Sequence, residues 1–254
     1  MPRRRRRRAS PLLQQDDPLH PPSGRLARET ELERRRRAGR IVRGLARAYP
    51  DAACALHFRN PFELLVATIL SAQCTDKKVN EVTPALFAAY RSPAALAAAD
   101  PAAVERMIRP TGFYRQKARA IQSAARDVAE RFGGQVPRAI ADLVSLHGVA
   151  RKTANVVLGN AFGIPGLTVD THMKRVNARL GLTAHDDPEK IERDLAGLIP
   201  EREWIAYSHR VIYHGRVCCD ARRPRCETCP LRPECPWPSR GKPARARTRR
   251  SRAA

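Results

Sequence analysis

The most regular pattern in this sequence is a helix-start signature followed by an apolar run. Asn60-Pro61-Phe62-Glu63 supplies a side-chain acceptor, a proline of fixed φ and an acid where the first helical turn accepts each. Ser92-Pro93, Asp100-Pro101 and Asp187-Pro188 repeat the arrangement, and amphipathic or alanine-rich stretches such as Ala94–Ala99 and Ala102–Ile108 accompany them. Phe62–Leu70 is almost wholly apolar and predicts a buried helix. Gly133-Gly134 predicts the end of another, because glycine takes a left-handed cap without strain. Alternating strand patterns are scarce and no long internal repeat is evident, so the expected fold class is all-α, built from short helices.

One pair of helices is unusually close. A helix ending near Ser145 or Leu146 meets the turn His147-Gly148-Val149-Ala150, and a second helix runs from Arg151 through Leu158. So tight a turn leaves backbone N–H groups at the second helix start, beside Gly148, Ala150 and Arg151, free to donate to a phosphate. Such a grip positions DNA without reading its bases. An ordinary αα-hairpin inside a core has the same local pattern, and the turn alone does not separate the two.

Charge shifts the balance. The chain has 48 Lys and Arg against 25 Asp and Glu, a net +23, which points to a polyanionic partner. Residues 1–40 carry 13 Arg against 5 acids, including an unbroken run from Arg3 to Arg8, and residues 239–254 carry 7 basic residues and no acid. Both ends read as disordered basic tails, 1–36 and 239–254, able to capture phosphates without sequence preference. No stretch of 18 apolar residues occurs, and the arginine-rich start lacks a secretory apolar segment. A soluble intracellular protein, cytoplasmic or on the nucleoid and without a membrane partner, is expected.

The seven cysteines are uneven: Cys54 and Cys74 stand apart, while five fall between Cys218 and Cys235. In a reducing compartment that clustering argues for a metal site rather than disulfides. Counted from Cys219 the spacing is C-x6-C-x2-C-x5-C, through Cys226, Cys229 and Cys235. Structural zinc is usually built from two C-x2-C pairs and only Cys226-Glu-Thr-Cys229 is such a pair, but spacing alone leaves zinc and iron–sulfur both open.

These motifs together resemble the endonuclease III family of DNA glycosylases. The hairpin is similar to that family's Leu-Pro-Gly-Val-Gly-Arg-Lys-Thr-Ala-Asn, departing at His147 for proline and Ala150 for the second glycine. The resemblance, which covers about 40–238, implies that Lys152 attacks C1′ of a damaged nucleotide to form a Schiff base. It implies that Asp170, in Val169-Asp170-Thr171-His172, assists the departure of the base, besides its local role as a helix N-cap. It selects Cys219, Cys226, Cys229 and Cys235 as ligands of a [4Fe–4S] cluster and leaves Cys218 over. The loop this cluster would pin presents Arg222, Arg223 and Arg225 to phosphates.

A nucleophilic lysine must be neutral, which burial and a helix N-terminus both favour. A base inside a duplex cannot reach it, so the nucleotide must be flipped out. Ser71-Ala72-Gln73-Cys74-Thr75-Asp76 is similar to the family loop whose glutamine fills the vacated space, making Gln73 the candidate there. Gly112-Phe113-Tyr114 matches a place where relatives carry a leucine wedge, so Phe113 is the second candidate, with a core phenylalanine as the plain alternative.

The resemblance further implies two helical lobes with DNA in the cleft between them. One spans about 54–164 with the helix–hairpin–helix at about 143–160; the other joins 37–53 to 165–238. The implied activity is a monomeric DNA glycosylase and abasic-site lyase of base excision repair, acting on double-stranded DNA with oxidised pyrimidines or abasic sites. Two rivals stand beside it. An adenine glycosylase of the same superfamily is opposed by Lys152 and by the lack of a glutamate in the Ser71–Asp76 loop. A catalytically weak or dead DNA-binding or redox module is opposed by the Lys152/Asp170 pair and left open by His147 and Ala150.

Overall fold

The computed structural model describes residues 29–237, and among these every regular element is a helix. Helix α1 (Glu31–Ala48) starts within the span read from sequence as a disordered tail, so that boundary moves back. The reason is local: Thr30 and Glu33 form a reciprocal capping box, which the density of arginine obscures. Packing then adds Arg37, buried and paired with Glu29 while donating to the Leu180 carbonyl at 2.6 Å. The remaining tail residues, 1–28 and 238–254, lie outside the described residues.

The four proline-marked starts open α2 (Pro61–Leu70), α4 (Pro93–Ala97), α5 (Pro101–Ile108) and α10 (Pro188–Ala196). In each, the preceding Asn60, Ser92, Asp100 or Asp187 accepts backbone N–H bonds from the first turn. Between them run α3 (Asp76–Ala89) and the long α6 (Tyr114–Arg131), which stops before two left-handed glycines, Gly133 and Gly134. The hairpin follows as α7 (Ile140–Val144) and α8 (Arg151–Phe162), then come α9 (Thr171–Arg179) and α11 (Trp204–Val217).

Two separate apolar cores hold these elements. The first gathers residues between Leu56 and Leu158 around α2, in which every residue after Pro61 is buried against neighbours that include α6 and α8. Burying each of its leucines and isoleucines contributes about 1.5–3 kcal/mol, enough to fix α2 as the central rod. The second core combines Ala38, Ile41 and Leu45 of α1 with Met173 and Val176 of α9, Tyr207 and Val211 of α11, and Leu231 near the C-terminal cysteines. The chain leaves the first core at Gly163, a left-handed cap at φ +67°, and enters the second at Leu167, whose carbonyl accepts from Asn155 at 2.8 Å.

Candidate active site

A cavity of about 580 Å³ lies where the two cores meet. Thr68, Ser71, Asp76, Lys152 and Val156 line it from elements of the first core; Thr168, Asp170, Ile212 and Tyr213 line it from elements of the second. The segment 48–56, between α1 and α2, closes one wall and includes Cys54. Lys152 and Asp170, 18 residues apart in sequence and each on the first turn or cap of a different helix, thus face one space.

Their settings differ. Asp170 is half-buried and is the N-cap of α9, its carboxylate accepting from the Met173 N–H at 2.8 Å. Lys152 is exposed, against the burial expected of it from sequence, and its ammonium has no ion-pair partner among the described residues. It sits at the cavity mouth as the second residue of α8. Two histidines nearby are held toward their neutral forms, in each case chiefly by burial: His209, bonded to Asn160 at 2.7 Å, and His172. The Asp170 carboxylate opposes that drop at His172, whose Nδ1 accepts from Arg175 at 3.1 Å.

The hairpin turn is built as its sequence requires, with one relief. Gly148 has φ +77°, and a Cβ there would stand 2.9 Å from the Ala120 Cβ of α6, so glycine serves both conformation and contact. Ala150 caps α8 at φ −86° and ψ 166°, extended backbone open to any residue, so the second departure from the family pattern costs the turn nothing. Ala150 supplies no side-chain acceptor, and the first N–H groups of α8 stay available. Arg151 is not a free cation: it forms a bidentate pair with Glu192 of α10 at 2.8 and 2.9 Å, joining the hairpin to the second core.

Gln73 and Phe113 share a feature no local pattern announced. They are the two non-glycine residues with positive φ among the described residues, at +51° and +48°, and both are exposed. Phe113 is 61% exposed, which removes the plain reading of it as a core phenylalanine. Each holds a backbone conformation that costs a non-glycine residue about 1–3 kcal/mol.

The four cysteines counted from Cys219 line one small cavity below α9 and α11 together with Cys218 and His214. No three of those four sulfurs lie within 4.8 Å of one another among the described residues. Four thiolates on one tetrahedral zinc, at ~2.3 Å from the metal, would stand roughly 3.8 Å apart. Four thiols opening on one small cavity are a donor set that fits a metal centre. A tighter set does exist, His214, Cys218 and Cys229, whose ligand atoms fall within 4.8 Å. Burial pushes the spare Cys218 thiol up to about 12, and its sulfur lies 3.8 Å from the Arg225 carbonyl. Arg179 donates to Cys219 Sγ at 3.4 Å and to the Asp220 and Ala221 carbonyls, fastening the loop to α9. Asp220 accepts from the backbone of Arg222 and Arg223, and the guanidinium groups of Arg222, Arg223 and Arg225 stay exposed without ion-pair partners among the described residues.

Sequence reasoning missed the ion pair between Arg216 of α11 and Asp76 at the start of α3, 2.9 Å long, which closes one side of the cavity. A separation of 140 residues leaves no local signal for it.

A helical fold with two cores, a helix–hairpin–helix and a cleft between them defines a class of DNA-repair protein, and residues 66–201 match the model of the HhH-GPD superfamily of base excision DNA repair proteins. The endonuclease III of Synechocystis sp. is 53% identical over 204 residues, 80% of this chain and 93% of that one. The endonuclease III of Bacillus subtilis is 46% identical, over 72% of this chain and 84% of that one. A solved structure described as a trapped endonuclease III–DNA covalent intermediate superposes with a TM-score of 0.77 at 44% identity, covering 81% of this chain and 97% of that one. The chain belongs to the endonuclease III family within the HhH-GPD superfamily.

Proposed function

We propose that this protein is a bifunctional DNA glycosylase and abasic-site lyase of base excision repair, with Lys152 as nucleophile and Asp170 as its carboxylate partner. The observation that carries the assignment is the convergence of these two residues, from different helices and different cores, on one cavity. The Lys152 Nζ lone pair forms a bond to C1′ as the N-glycosidic bond breaks, and the base leaves with the electrons of the broken bond and takes up the proton that Nζ sheds. Asp170 stabilises the positive charge that builds on the sugar. The ring opens to an iminium, a proton leaves C2′, and the C3′–O bond breaks to release the 3′ phosphate. Water then frees the lysine.

Lys152 begins exposed, so the dry surroundings that favour a neutral amine come from the DNA that closes the cleft. Oxidised pyrimidines are the substrates we assign, in double-stranded DNA, with the protein acting as a monomer in the cytoplasm or on the nucleoid. No helix among the described residues is long and apolar enough to cross a membrane.

Cys219, Cys226, Cys229 and Cys235 would hold a [4Fe–4S] cluster, whose contribution is to fix the loop bearing Arg222, Arg223 and Arg225. Iron and acid-labile sulfide should both be present in protein purified without air, lost in Cys219→Ser and retained in Cys218→Ser. Zinc in their place would remove the cluster assignment. For the chemistry, borohydride should trap wild-type protein on DNA with an abasic site, and Lys152→Gln should give no adduct. An adduct of unchanged yield in that variant would overturn the assignment of Lys152.

A further inference from the structure

We infer that Lys117 is a positioning residue, fastening the loop that carries Phe113 so that it is held ready when a base is extruded; this rests on the function proposed above. Lys117 lies one turn into α6 and is 5% exposed. Its ammonium donates to the Thr111 carbonyl at 2.8 Å, two residues before Phe113. Its own N–H takes the Phe113 carbonyl at 3.1 Å. Thr111 is buried in turn and donates to the Ile108 carbonyl at 2.8 Å. Gly112 and Phe113 are consecutive left-handed residues, an arrangement the chain does not hold unaided at a phenylalanine.

The ammonium that makes this bond belongs to a nearly buried side chain. Burial opposes that charge and lowers the lysine's pKa. A methionine or leucine would fill the space without this desolvation penalty, so packing alone does not account for a lysine here. An ammonium donates where an apolar side chain cannot, and here it ties the turn before Phe113 to α6. Neither Lys152 nor Asp170 is needed for this role, and Lys117 does not line the cavity.

The test compares two substrates with one variant. Lys117→Met keeps the length and bulk of the side chain and removes the donors. Rates are measured on a damaged pyrimidine in a fully paired duplex and on the same base held unstacked in a bulge. Extrusion costs a few kcal/mol only in the paired duplex, so kcat there should fall roughly 10–100-fold, while the bulged substrate should lose less than about threefold. Equal losses on both substrates would reduce Lys117 to a structural residue, and no loss on either would end the proposal. Lys117→Gln, which keeps a neutral donor, should show the same bias more weakly and serves if the methionine variant does not fold. Phe113→Ala separates the two readings: if it shows no bias between substrates, the stack-filling role of this loop fails, not the anchor.

Discussion

Two helices begin at the rim of the same cavity, and they begin in opposite ways. Helix α9 is closed by Asp170, whose carboxylate takes the Met173 N–H. Helix α8 is opened by Ala150, which offers its first turn nothing, although an N-cap acceptor there would add about 1 kcal/mol of stability. The first arrangement spends the dipole of a helix end on locking a carboxylate in one rotamer, and the second leaves N–H groups and a positive end for a ligand. In the reaction proposed above, the capped start carries the charge that must not move, and the open start carries the lysine and the surface that must meet DNA. Neither helix is explained by propensity alone; each is explained by what its first turn faces.

The largest expected effect breaks the capped start. Asp170→Asn preserves the cap, since asparagine is an equal N-cap, but removes the negative charge. Base release should slow by ~10²–10⁴-fold with DNA affinity and melting temperature nearly unchanged, as read by single-turnover kinetics, binding isotherms and thermal unfolding. Asp170→Ala should show the same kinetic loss and a further destabilisation of about 1 kcal/mol. If the asparagine variant lost stability but kept its rate, Asp170 would be a cap and nothing more.

The turn before the open start comes next. Gly148→Ala meets a left-handed φ, costing about 1–2 kcal/mol, and a 2.9 Å contact with the Ala120 Cβ that adds about 1–3 kcal/mol. Denaturant unfolding should therefore show a loss of roughly 2–5 kcal/mol. A double change with Ala120→Gly should recover the contact part and leave the strain.

How much of this was readable in the sequence depends on range. Asn60, Ser92, Asp100 and Asp187 bond within three residues of themselves, and each start stands where its Pro-marked signature put it. The helix α1 escaped because its capping box lies inside a run of arginines that reads as solvated chain. The left-handed φ of Gln73 and Phe113 was invisible because neither residue type prefers it; at Phe113 the buried Lys117 holds the preceding turn. Likewise, the pairing of the Arg151 side chain with Glu192, 41 residues away, has no local signal. The concern over Ala150 dissolved on a single angle, since φ −86° asks nothing of glycine.

That angle also defines the smallest and most diagnostic change. Ala150→Asp converts the open start into a copy of the capped one, with no backbone strain. A carboxylate there should accept from the first turn of α8 and raise stability by ~0.5–1.5 kcal/mol, visible as a higher unfolding midpoint. The same carboxylate would occupy the place of the phosphate and repel it, so affinity for abasic DNA should fall about tenfold, or ~1.4 kcal/mol. The effect should shrink as salt is raised, because screening weakens the new repulsion and the lost phosphate contact alike. Ala150→Ser adds a neutral cap and should give the stability gain with a smaller loss of affinity. If both variants gained stability and bound DNA as tightly as the parent, the open start of α8 would not be a phosphate site, and the contrast with α9 would reduce to a difference in capping.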